Sequence, residues 1–269
     1  MIFEFKLSPI EDVSPWDYPP NQSLSWFGFT DGKYRIKVGL EYLLNYSKEY
    51  KDYLNEKFPE YLSGTTFVEY QIVRLWEDIL EMLPSILEPV PKEIQYFFTS
   101  GDKDYVDLRN NLLDWQDSEI MKGVEEIGTL DFGELAVCWL DDRRLDNGYL
   151  TNSANIWIWS DEKDVIFSWD NRKIKVENIP VWSAELGNYR IDKKDFVNEV
   201  RKFNNSLISQ MEDRVESIRR NWSKPEIKID FENLKNEQKI RATWLTLALN
   251  ERRKTNWNEV ISAIKIINP

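Results

Sequence analysis

The chain has 269 residues, of which 47 are acidic, 35 are basic and none is histidine. Because there is no imidazole, Ser–His and Cys–His nucleophile pairs and imidazole zinc sites are excluded. The net charge of −12 disfavours nucleic acids and anionic membranes as partners and favours encounter with a basic protein.

The N-terminal segment has the pattern of short strands. Residues 2–7 alternate as a strand does. Two predicted strands, 24–29 and 33–38, flank Thr30, Asp31 and Gly32, where glycine permits the positive φ of a hairpin turn. We therefore predict an N-terminal hairpin after the first strand.

The next segment is predicted to be helical. Thr66 and Glu69 have capping-box spacing, which places a helix start near Thr66. The apolar face at helical spacing consists of Val68, Ile72, Leu75, Ile79 and Leu83. Pro84 is expected to end or kink this helix. Helical patches at 92–98 and 103–116 follow, and residues 124–146 fit no single element.

Residues 155–160 and 165–170 give the clearest pattern, two strands around a polar turn. If Ser160 pairs with Val165, one face of the hairpin is wholly apolar and should meet the core. The opposite face carries Trp157, Trp159, Ser168 and Asp170. Two tryptophans there need a cover, and a helix of this chain is favoured over a partner protein.

A long amphipathic helix is predicted from Asp192, its expected N-cap, to about Trp222. Its apolar stripe consists of Phe196, Val200, Phe203, Leu207, Met211, Val215, Ile218 and Trp222. Further helices are expected around 231–250 and from about Asn256, where Asn256 and Glu259 have the spacing of a capping box.

The order of these elements predicts an α+β fold, because the strands come early and centrally and helices close the chain. The expected architecture is an antiparallel sheet, made of the N-terminal hairpin and the central Trp-rich hairpin, packed by helices. The long amphipathic helix lies in the C-terminal third. No repeat or clean linker is present, so a single domain over 1–269 is predicted, with a soft division near 185–192.

The densest polar cluster comprises Asp141, Asp142, Arg144 and Asp146, followed by Asn147 and Gly148. One interpretation is functional: an acidic pair, oriented by an arginine, that receives a cation or a guanidinium. The favoured interpretation is structural: a helix C-terminus with an arginine near its carbonyl groups, followed by an Asn-Gly turn. These four charged residues and the four on the tryptophan face are the candidate binding residues. No catalytic residue, metal ligand or cofactor is predicted.

The single cysteine, Cys138, lies in an apolar run and cannot form an internal disulfide. A buried small hydrophobe is favoured over a nucleophile, since a reactive thiolate needs a positive neighbourhood. The N-terminus lacks the features of a signal peptide, and no stretch is apolar enough to span a membrane. A cytoplasmic location is therefore expected.

Several short motifs resemble an uncharacterised bacterial family known only by a domain-of-unknown-function label. They are Pro15-Trp16, Leu24-Ser25-Trp26-Phe27-Gly28 with Asp31-Gly32, Arg74-Leu75-Trp76-Glu77-Asp78, Arg144-Leu145-Asp146, Gly148-Tyr149-Leu150, Trp169-Asp170 and Trp182. The resemblance covers nearly the whole chain, which implies one domain. It implies no established activity; proteins of this sort sometimes look like immunity or defence accessories.

Two functional hypotheses follow. The first is a non-enzymatic interaction protein, such as an acidic immunity protein that neutralises a basic partner, with some of the 12 tryptophans as anchors. It predicts that Trp157 or Trp159 is exposed beside carboxylates. The alternative is a carboxylate-based enzyme, or a binder of a sugar or nucleotide through tryptophan stacking. That alternative predicts a deep pocket with two convergent carboxylates.

Overall fold

The computed structural model describes residues 2–59, 64–123 and 126–268. Its strands are β1 (Phe3–Leu7), β2 (Asp31–Val38), β3 (Glu41–Leu43), β4 (Val68–Gln71), β5 (Ile156–Ser160), β6 (Asp164–Asp170), β7 (Lys175–Val176), β8 (Ile179–Pro180) and β9 (Leu186–Asp192). Its α-helices are α1 (Lys48–Lys57), α2 (Ile72–Leu87), α3 (Tyr96–Thr99), α4 (Asp102–Met121), α5 (Glu126–Asp141), α6 (Lys193–Asn221), α7 (Phe231–Asn250) and α8 (Trp257–Ile267). The fold is therefore mixed, with antiparallel strand pairing and a long helix in the C-terminal third, as predicted. The N-terminal hairpin and the central hairpin belong to two separate sheets, and not to the one sheet that was predicted. Along the described ranges, no helix is long and apolar enough to cross a membrane.

The chain divides into two compact units, each assembled from separate stretches of sequence. The first comprises Met1–Glu81, Ile174–Ala184 and Lys194–Glu251, and the second comprises Met82–Lys173, Glu185–Lys193 and Arg252–Pro269. The predicted single domain stays a prediction, since compactness alone does not measure whether either unit folds without the other.

The sheet of the first unit is built around β2. Strand β1 pairs antiparallel along β2, while β3 and β4 pair with different halves of it. An N-terminal hairpin is present, but it joins β2 to β3 rather than turning at Gly32. Gly32 lies within β2, where an added Cβ would stand 2.4 Å from the Lys6 carbonyl oxygen. Glycine there permits the close approach of β1, and the predicted strand at 24–29 is wrong.

Helix α2 begins later than its sequence pattern predicts. Val68–Gln71 is extended and pairs with β2, and the Thr66 hydroxyl donates to Asn45 Oδ1 at 2.7 Å instead of capping a helix. Pro84 lies inside α2, which continues to Leu87. Of the two predicted effects of Pro84, the end of the helix is therefore wrong, and the kink stays a prediction. The predicted apolar face is nevertheless buried throughout. Tertiary pairing of the segment before Ile72 overrides the local capping signal.

Helix α6 confirms the long helical prediction. The stripe from Phe196 to Ile218 is buried, and the helix ends one residue before Trp222. Asp192, the expected N-cap, is instead the last residue of β9. Helices α7 and α8 also lie where predicted, although Asn256 makes no side-chain capping hydrogen bond.

The sheet of the second unit contains the central hairpin in the predicted register. Ser160 pairs with Val165, Ile158 with Phe167 and Ile156 with Trp169. Strand β9 pairs with the free edge of β6. The segment after α5 pairs with the other edge of the hairpin, since Arg144 forms an antiparallel bridge with Trp157.

A buried arginine links three segments of the second unit. Arg143 is fully buried; its guanidinium donates to Glu88 Oε2 at 3.1 Å and to the Trp139 carbonyl oxygen at 2.8 Å. Glu88 also accepts bonds from the backbone N–H and the hydroxyl of Thr255. Burial lowers the pKa of Arg143 to about 10, and the charge of Glu88 opposes that shift. The side chain therefore stays charged at neutral pH.

We expect Glu88→Ala to lower the free energy of unfolding by about 3–5 kcal/mol, because it leaves the buried charge of Arg143 uncompensated. Replacing both partners, as Glu88→Leu with Arg143→Met, should cost less than the single change. Urea unfolding measures both. Arg190→Ala is the matched control: it removes a half-exposed partner of Asp161 and should cost about 1 kcal/mol or less. A Glu88→Ala loss no larger than that of the control would contradict the role of the pair.

Candidate functional site

The two tryptophans of the central hairpin are buried by the chain itself. Trp157 is 1% exposed and Trp159 is 0% exposed. Phe98 stacks on Trp159 with ring centroids 4.9 Å apart, and Tyr105 of α4 meets Trp157 edge-on at 5.8 Å. The predicted helical cover is thus present. The expectation that Trp157 or Trp159 lies exposed beside carboxylates is wrong, because helices of the same unit occupy that face.

Ser168 and Asp170 lie beside these tryptophans and are also buried. The Ser168 hydroxyl accepts the indole N–H of Trp159 at 3.1 Å. Asp170 accepts two hydrogen bonds from the Arg172 guanidinium, at 2.8 and 2.7 Å. Gly101, with φ of +81°, approaches the same carboxylate so closely that an added Cβ would lie 2.5 Å from Asp170 Oδ2. Both side chains satisfy internal groups of the unit.

The predicted acidic pair does not converge. Asp141 accepts from the Tyr105 hydroxyl at 2.9 Å and forms an ion pair with Arg109. Asp142 pairs with Arg253 at 2.5 Å. The two carboxylates therefore have different cationic partners. The structural interpretation of this segment is confirmed at one point, since an arginine, Arg143, donates to a C-terminal carbonyl of α5.

Arg144 occupies a different environment from its neighbour Arg143. Its guanidinium lies 5.2 Å from the ring centroid of Tyr105 and 5.7 Å from that of Trp157. Nη1 is 3.4 Å from the Tyr105 hydroxyl, and Nη2 donates to Asn155 Oδ1 at 2.5 Å. Two aromatic rings and an amide thus hold the planar group in one orientation.

A cleft of about 250 Å³ opens beside Arg144. Asp141, Asp146, Asn147 and Ser153 also line it. Asp146 is exposed, and its Oδ1 accepts the backbone N–H of Gly148 at 3.0 Å. We call this cavity the Arg144 cleft. It brings together three of the predicted binding residues, Asp141, Arg144 and Asp146, while Asp142 is turned toward Arg253.

The outer face of the α4–α5 pair is a second surface of interest, and sequence reasoning missed it. On α4, Val106, Leu113 and Ile120 recur every seven residues and are 36%, 60% and 44% exposed. On α5, Leu130 is 48% exposed. The seven-residue spacing was the available signal, but the predicted helix ended at 116 and so omitted Ile120.

The geometry of the two helices places these residues on one side. Leu112 on α4 lies against Gly133 on α5, and Gln116 donates to the Thr129 carbonyl oxygen, so the helices run antiparallel. In an antiparallel pair, the residue that follows a contact residue on either helix falls on the same side of the pair. Leu113 follows Leu112, and Leu130 follows Thr129. We call this side the α4–α5 outer face.

Cys138 is half-buried on α5, and its environment disfavours the thiolate. Burial raises the pKa of the Cys138 thiol, and the carboxylates of Glu134, Asp141 and Asp142 raise it further.

We expect reaction of Cys138 with a thiol-specific disulfide reagent to be slow at neutral pH and to accelerate at a higher pH in the folded protein than in urea. Stopped-flow absorbance measures both profiles. A folded-state midpoint at or below the unfolded one would contradict this assignment.

Comparison with known proteins gives a family and no activity. A family model described as "Family of unknown function (DUF5984)" matches residues 2–263. Neither the search of curated proteins nor the search of solved structures found a match. The resemblance seen in the sequence motifs is thereby confirmed over nearly the whole chain. The chain belongs to DUF5984, a family of unknown function.

Proposed function

We propose that this protein is a non-enzymatic, cytoplasmic interaction protein that binds a basic, amphipathic helical segment of a partner on the α4–α5 outer face. In the cell, such binding would neutralise a basic protein, as an acidic immunity protein does. The observation that carries it is an exposed apolar stripe bordered by aspartates.

The apolar part of the surface supports docking of a helix. Val106, Leu113 and Ile120 lie on one side of α4, two helical turns apart from one another. Aliphatic side chains at this spacing are the usual anchors of helix-to-helix contacts. They supply the apolar anchor that the buried Trp157 and Trp159 do not.

The charged part of the surface supports a basic occupant. Asp107 and Asp114 each follow an apolar residue of the stripe, and Asp117 lies one turn beyond Leu113; all three are exposed. On α5, the exposed Asp131 and Glu134 lie near Leu130. A basic segment would gain both attraction and faster encounter from this arrangement. The net charge of −12 acts in the same direction.

The enzymatic alternative has weaker support. A carboxylate-based mechanism needs two acids converging on one substrate, one of them held protonated. The aspartates closest together in sequence near the Arg144 cleft, Asp141 and Asp142, have separate arginine partners. Stacking of a sugar or base on Trp157 or Trp159 is also unavailable while helices cover them.

A synthetic amphipathic helix of leucine and lysine tests the proposal by fluorescence anisotropy at low salt. Asp107→Lys with Asp114→Lys and Asp117→Lys should weaken its binding by about tenfold or more, since each reversal replaces an attraction with a repulsion. Leu113→Ser should weaken binding without changing its salt dependence.

The matched control reverses three exposed acids elsewhere: Glu56→Lys with Glu212→Lys and Asp213→Lys. It changes the net charge by the same amount and should have a much smaller effect, since these residues are not on the outer face. Equal weakening by both triple variants would show that net charge alone attracts the peptide, and the proposed surface would then be wrong.

A further inference from the structure

Arg144 differs from five other arginines of its unit, each of which forms an ion pair with a carboxylate. Five ion pairs in that unit are Arg109–Asp141, Arg143–Glu88, Arg172–Asp170, Arg190–Asp161 and Arg253–Asp142. Among the residues that the structure describes, Arg144 forms no such pair; its polar partners are a phenol and an amide. A positive charge thus lies at the wall of a cavity with nothing negative bonded to it.

The guanidinium has donors left for a ligand. Arginine carries five N–H donors, and the bonds to Tyr105 and Asn155 occupy two of them. The rings of Tyr105 and Trp157 hold the planar group in place. A carboxylate or phosphate is therefore the chemical group that this arrangement suits, because two oxygens match the fork of the guanidinium.

The cleft also presents one negative charge. Asp141 is compensated by Arg109, whereas Asp146 is exposed and forms no ion pair with any described residue; its one bond is to the Gly148 N–H. A ligand with only an anionic group would meet repulsion from Asp146. A ligand that also carries an ammonium group would satisfy both charges.

The wall between these two charges is held in place by Asn147. This side chain is 1% exposed; its Nδ2 donates to the carbonyl oxygens of Leu145 and Ala154, and its Oδ1 accepts the Ala154 N–H. The loop that carries Asp146 is thus closed on itself by three hydrogen bonds. A preformed cavity of this kind loses little entropy on binding.

The volume of the cleft limits the ligand. A space of about 250 Å³ lies just below the roughly 300–1,000 Å³ of pockets that hold drug-sized ligands, so a smaller molecule suits it. We propose that the Arg144 cleft binds a small zwitterion of amino-acid size, with its anionic group on Arg144 and its ammonium group on Asp146. The residues of this site are not those of the α4–α5 outer face, and the proposal does not depend on the proposed protein partner.

Three small probes test the assignment by calorimetric titration: L-serine carries both charges, acetate only the negative one and ethanolamine only the positive one. Serine should bind in about the millimolar range and more tightly than either single-charge probe. Arg144→Gln should weaken serine and acetate by about tenfold or more, and it should strengthen ethanolamine, because it removes the charge that repels the ammonium group. Asp146→Asn should weaken serine and ethanolamine and strengthen acetate, because it removes the charge that repels the carboxylate of acetate.

Arg190→Gln is the matched control, since Arg190 lies in the same unit and is paired with Asp161; it should leave all three titrations unchanged. Thermal unfolding of each variant verifies the fold. If Arg144→Gln fails to fold, Arg144→Lys replaces it in the titrations, because lysine keeps the positive charge but lacks the fork of the guanidinium. Absence of serine binding to the unaltered protein at about tenfold above the expected range would overturn the proposal. Equal effects of Arg144→Gln and Arg190→Gln would overturn it as well.

Discussion

The second unit depends on the burial of Arg143 against Glu88. The ion pair joins the end of α5, the residue that follows α2 and the segment before α8, because Glu88 binds both Arg143 and Thr255. The backbone of Arg143 also contacts β5, since its carbonyl oxygen accepts the Ile158 N–H. Arg143 thus lies in the turn that ends α5. Arg144, the next residue, forms the bridge to Trp157 and lies at the cleft, where its polar partners are Tyr105 and Asn155.

The first unit also buries an arginine beside aromatic rings and a glutamate. Arg241 is 7% exposed and lies over the rings of Trp26 and Trp244 at 4.5 and 4.8 Å. Its Nη1 pairs with Glu77 at 2.6 Å. Arg143 of the second unit likewise lies over the ring of Trp257, at 5.3 Å, so in both units an aromatic ring and a glutamate compensate the desolvation of a guanidinium. The abundance of tryptophan thus serves buried cations as well as apolar packing.

Elements with a strong hydrophobic period could be predicted from the sequence. Elements whose secondary structure depends on pairing with a distant segment could not. The register of β5 and β6 and the buried stripe of α6 follow from alternation and helical spacing, and both are confirmed. Val68 fits the helical face of α2 but lies in β4, because pairing with β2 was invisible locally. Arg143 and Arg144 are chemically identical neighbours, so only the fold could tell which one is buried. The α4–α5 outer face was missed because an exposed apolar stripe has the same period as a core stripe.

The seven-residue spacing of that stripe also constrains the shape of what can lie along it. Seven residues fall about 20° short of two full turns, so Val106, Leu113 and Ile120 follow a shallow left-handed path over about 21 Å. A helix touching all three must therefore cross α4 at an angle of about 20°, as the strands of a coiled coil do. The stripe therefore favours partner helices that can lie across α4 at this angle, whatever their individual side chains are.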